Sequence, residues 1–69
     1  MLIEEEMAAA RLALHEMHVE HRDLELVIEH LIFSPPPDQL LVRRLKKRKL
    51  ALKERINQCE RLLDPDVSA

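Results

Sequence analysis

Ile3, Met7, Ala10, Leu14, Met17, His21, Leu24, Ile28 and Leu31 follow one another in alternating steps of four and three residues. That alternation keeps them on one face of an α-helix and is the a/d seam of a coiled coil, with one polar intruder, His21. Val42, Leu45, Lys49, Leu52, Ile56, Cys59 and Leu63 repeat the pattern later in the chain, with Lys49 as the intruder. Between the two runs lies Ser34-Pro35-Pro36-Pro37-Asp38. A residue that precedes proline is pushed out of the α region, so the first helix should stop near Phe33. Asp38 is then a good N-cap for the second, and Asp64-Pro65 closes it. The pattern predicts a single all-α domain over 1–69: helix 1 about 3–33, a proline-rich turn at 34–38, helix 2 about 38–63 and a short tail at 64–69. At 1.5 Å per residue the helices should be roughly 45 and 39 Å long.

So short a connection makes neighbouring helices antiparallel. The expected fold is an antiparallel two-helix hairpin, coiled-coil-like, in which residues whose numbers total about 71 share a level. His21 and Lys49 then fall in the same or adjacent layers, with Glu25 one turn beyond His21. The flanks agree: Glu25 comes opposite Lys46, Arg11 opposite Glu60, Glu20 near Arg48, and Val27 meets Leu41. Outside the seam, Leu12, Val19, Leu26 and Phe33 recur every seven residues on the far side of helix 1. A lone hairpin would leave that stripe in water, which monomers usually avoid. Self-association through helix 1, giving a homodimeric four-helix bundle or larger, is the simplest remedy; scattered surface Leu and Val is the blander account.

Composition narrows the functional classes. The 69 residues contain no glycine and one aromatic, Phe33, so a phosphate-cradling loop is excluded. A chain this small has a net stability near zero from its core alone, which again favours a second copy. One cysteine, Cys59, cannot form a disulfide within the chain and suits a reducing compartment. The acidic start Met1-Leu2-Ile3-Glu4-Glu5-Glu6 lacks the positive charge of a signal peptide, and no apolar run is long enough to span a bilayer. A cytoplasmic protein that neither crosses nor lies on a membrane is expected. Residues 1–34 carry eight acids and two bases, net −6, whereas 38–69 carry five acids and nine bases, net +4. An acidic helix against a basic one is self-complementary.

Several groups are candidates for chemistry. The run Arg43, Arg44, Lys46, Lys47 and Arg48 places like charges at i,i+4, which repel. Nucleic-acid phosphate could offset them; the absence of an aromatic to stack on a base and the acidic helix alongside favour a solvated, internally neutralised face. His15, His18 and His21 step round helix 1 by three, and no Cys-x-x-Cys or His-Glu-x-x-His accompanies them, so no metal and no cofactor are expected. His21, Glu25 and Lys49 have the vocabulary of acid–base catalysis, but a two-helix hairpin offers little of the pocket and rigid support that catalysis needs. They are read as a buried polar layer that fixes register. Cys59, at a d position, is read as a small core hydrophobe. No enzyme activity is expected.

At these same residues a family resemblance emerges. His21-Arg22-Asp23-Leu24-Glu25-Leu26-Val27-Ile28, then Asp38, then Leu45-Lys46-Lys47-Arg48-Lys49-Leu50-Ala51-Leu52-Lys53-Glu54-Arg55-Ile56 resemble the YdcH-like family over roughly residues 14–60. The resemblance implies a helical hairpin, a bacterial cytosolic setting and no established activity. The combined expectation is a non-catalytic helical interaction module that self-associates and docks a macromolecular partner through the basic outer face of helix 2 or the ends of the bundle. The alternative is a small nucleic-acid-binding protein using that basic face.

Overall fold

The computed structural model describes residues 2–36 and 38–64 and contains two α-helices, α1 (Glu4–Phe33) and α2 (Gln39–Leu63). Pro37, inside the expected turn, and the tail beyond residue 64 lie outside the described residues. Local chemistry sets each boundary. Glu4, Glu5 and Glu6 put negative charge on the positive end of α1. Glu6 reaches back so that the Ile3 N–H donates to its Oε1 at 3.0 Å. At the other end Ser34 is extended, with φ −102° and ψ 102°, as the following proline demands. Asp38 caps α2 by accepting the Leu41 N–H at 3.0 Å. The Asp64 N–H donates to the Glu60 carbonyl at 2.9 Å to close it.

The helices fold back on one another as an antiparallel hairpin. The longest dimension of the molecule is 49 Å, close to the length of α1 alone, whereas both helices end to end would need about 83 Å at 1.5 Å per residue. Two inter-helix contacts fix the register. Cys59 Sγ lies 3.5 Å from the Ala10 carbonyl oxygen, and Arg48 Nη2 lies 3.5 Å from Glu20 Oε1. Residues whose numbers total 68 or 69 are therefore level, two to three residues short of the expected 71. Ala10 allows this: its small side chain leaves the backbone carbonyl open to the cysteine thiol across the seam.

Burial follows the heptads closely. Within α1 and α2 the residues that are not exposed are Met7, Ala10, Leu14, Met17, His21, Leu24, Ile28 and Leu31 on one helix, and Val42, Leu45, Lys49, Leu52, Ile56, Cys59 and Leu63 on the other. Ile3 is the exception to the expected seam, being 61% exposed. It precedes the helix, and at the observed register its counterpart would lie past the end of α2. Ile28, Val42, Leu52 and Ile56 form the buried core, with Ile56 fully enclosed. The other seam residues are half-buried, because two cylinders in contact leave both sides of their seam open.

Candidate functional site

His21, Glu25 and Lys49 sit midway along the hairpin. Seam geometry half-buries His21 on α1 and Lys49 on α2 in adjacent layers, while Glu25, one turn on, is exposed. His21 Nδ1 lies 3.0 Å from Glu25 Oε1, an i,i+4 contact along α1. Glu25 therefore turns to its own helix rather than to Lys46 across the seam. Among the described residues no ion pair joins Lys49 to either of them. The structure thus links His21 to Glu25 and leaves Lys49 in an adjacent layer, without an ion pair to either among the described residues.

Cross-helix charge pairing is sparser than the sequence suggested. Glu20–Arg48 is present at 3.5 Å. Arg11–Glu60 and Glu25–Lys46 are not within 4 Å, because the register shift moves both pairs apart along the axis and both flank positions are solvent-exposed. Arg43, Arg44, Lys46 and Lys47 are likewise exposed, and among the described residues only Arg48 of the run meets an acidic partner. Internal neutralisation by α1 therefore reaches one cation in five.

The second heptad stripe stands bare. Leu12, Val19, Leu26 and Phe33 are all exposed, from 48% at Val19 to 78% at Phe33. They lie roughly 170° round α1 from the mid-line of the seam, at 100° per residue. The pattern does not single out Ile32 and Leu40, which with Leu41 surround the hinge and are also exposed; their flank positions next to the proline turn are the available signal. Ile32 with Gln39, Val42 and Arg43 lines a shallow depression at that end. None of His21, Glu25 and Lys49 borders it. Seam packing separates His21 from the exposed His15 and His18, and no group of three or more His, Cys, Asp or Glu among the described residues is placed to hold a metal ion. No helix there is long and apolar enough to cross a membrane.

Comparison with known proteins identifies a family for most of the chain. A family model described as a protein of unknown function (DUF465), the YdcH-like family, matches residues 14–60. That span holds the whole polar layer, the proline turn and the basic run. Neither the curated proteins nor the solved structures supply a match.

Proposed function

The chain belongs to the DUF465 family, whose function is unknown, and from that premise we propose that it is a non-catalytic interaction module that self-associates through α1. One observation carries the reading: a heptad stripe of large apolar residues is exposed on the face of α1 that the hairpin does not use. Apolar surface buried against a partner is worth roughly 25 cal/mol per Å², and the intramolecular seam supplies little surplus stability in so small a chain. The polar layer at the seam centre supports a register-fixing role for His21 and Lys49 rather than a reactive one. Sedimentation equilibrium of the full chain at micromolar concentration should give a species heavier than the 8.1 kDa monomer. A folded monomer at every concentration would refute the proposal. Leu26→Asp should return the protein to monomer while the far-ultraviolet circular dichroism of the hairpin is unchanged.

One observation favours a second reading, in which the module docks nucleic acid through α2. Arg43, Arg44, Lys46 and Lys47 remain without acidic partners among the described residues, and clustered cations along one helix are the footprint of phosphate binding. Such binding releases counterions and weakens steeply with salt. A gel shift at low salt that disappears as salt is raised would support it; no shift at low salt would eliminate it.

A further inference from the structure

We infer that the second copy docks α1 against α1 in parallel and in register, so that two hairpins form a single flat layer of four helices with both proline turns at the same end. This rests on the self-association proposed above and specifies its geometry. The stripe lies nearly diametrically opposite the seam, at roughly 170°. A partner seated on it leaves both α2 helices on the outer edges, which gives a row of four rather than a square bundle.

Direction comes from the residues that border the stripe. Between successive apolar residues α1 presents one acid and one base side by side: His15 and Glu16, then Arg22 and Asp23, then Glu29 and His30. All six are exposed, and among the described residues none has an ion-pair partner within the hairpin. Helical geometry puts the first of each pair on one flank of the stripe and the second on the other. In a parallel two-fold pairing the left flank of one helix meets the right flank of its partner. His15 then faces Glu16 of the second copy, Arg22 faces Asp23, and Glu29 faces His30. Each pair is repeated by symmetry, and each of these three contacts joins an acid to a base.

The antiparallel alternative joins like flanks. Centred on the stripe it also matches His15 with Glu29 and Glu16 with His30, but it sets Arg22 against its own copy and Asp23 against its own copy. Parallel pairing has one like-charge contact of its own, Glu5 with its copy, in the solvated first turn beyond Leu12. Charge at the rim of an interface sets orientation more than affinity, so the central Arg22–Asp23 layer chooses the direction. Packing one apolar residue per heptad, against two in the seam, makes this association weaker than the hairpin itself.

Spin labels can read the direction in the full-length protein. With Cys59→Ser as background, a label on Ser34→Cys at the hinge should give an inter-label distance under about 20 Å if the turns lie together, whereas antiparallel pairing separates them by about 35 Å at 1.5 Å per residue. A second label at Glu5→Cys reads the opposite end, should one labelled chain fail to fold as judged by circular dichroism. Arg22→Asp should weaken dimerisation about tenfold through lost and reversed rim pairs, and adding Asp23→Arg should restore it. A dimer with distant labels, or one indifferent to Arg22→Asp, would overturn the parallel geometry while leaving self-association standing. A monomer by sedimentation would overturn both.

Discussion

The two faces of α1 carry nearly the same sequence rhythm and meet opposite fates. The inner seam puts an apolar residue at a and d of each heptad except at His21, and α2 covers it; the outer stripe puts one at every seventh position, and none of the described residues covers it. What differs is what the flanks can do. Inner flanks face the basic helix, yet among the described residues they settle on one cross-helix ion pair, Glu20–Arg48. Outer flanks carry alternating acid and base with no ion-pair partner among the described residues of the hairpin. Apolar density decides which face closes the fold, and in the proposed dimer charge order decides how the remaining face is met.

The largest expected effect tests the inner face. Ile56 is fully buried while Leu50, on the same helix, is 69% exposed. Ile56→Ala should cost about 2–4 kcal/mol from lost burial and the cavity left behind, enough to unfold much of so marginal a chain. Leu50→Ala should stay within about 0.5 kcal/mol, as a surface change does. Urea melts of the two variants would check the contrast; equal losses would mean that helicity rather than the seam holds the hairpin together.

Next comes the polar layer that interrupts the seam. Replacing His21 and Lys49 together by Leu makes the inner face apolar throughout, and should leave stability unchanged or raise it by up to about 2 kcal/mol. The expected cost is uniqueness: the oligomer distribution seen by sedimentation should broaden, because an uninterrupted seam no longer prefers one partner or register. A double variant that assembles as uniquely as the parent would remove the register role.

A smaller effect belongs to the hinge. Asp38→Ala removes the acceptor for the Leu41 N–H and should cost about 1 kcal/mol, the usual loss for an N-cap. Because the cap starts α2 next to Val42, the loss should appear in melts of the hairpin and leave the proposed self-association unaltered once folding is complete. Asp38→Asn, which keeps the acceptor, should recover most of it.

The inner face was legible in the sequence because two signals are sharp. Four-and-three spacing admits one helical face, and Ser34-Pro35-Pro36 blocks helix continuation by steric clash. Hairpin formation and the seam membership of Met7 through Leu31 and Val42 through Leu63 follow from these alone. Ile3 illustrates the limit, since heptad phase continues past the point where the partner helix has ended. Charge pairing was less legible. Glu25 could reach Lys46 across the seam or His21 one turn back, and long exposed side chains choose among such partners on differences well below 1 kcal/mol. The register offset was not legible either, because it depends on how closely Cys59 approaches the Ala10 backbone, which spacing does not encode.

The smallest effect concerns the one charge contact between the helices among the described residues. Glu20 and Arg48 are both largely solvent-exposed and meet at 3.5 Å, so Glu20→Gln should cost about 0.2–0.5 kcal/mol at low ionic strength and nearly nothing at high salt. Apolar burial carries the inner face, and its rim should respond to salt weakly. In the proposed dimer, polar pairs beside the outer stripe set direction, and dimerisation should respond to salt more than the seam does. Melting Glu20→Gln and the parent across a salt series, beside sedimentation of the parent across the same series, measures both rims in common conditions. A loss above about 1 kcal/mol that persists in high salt would place Glu20 in the structural core instead, and the division between a face closed by apolar density and one met by charge order would fail at the seam itself.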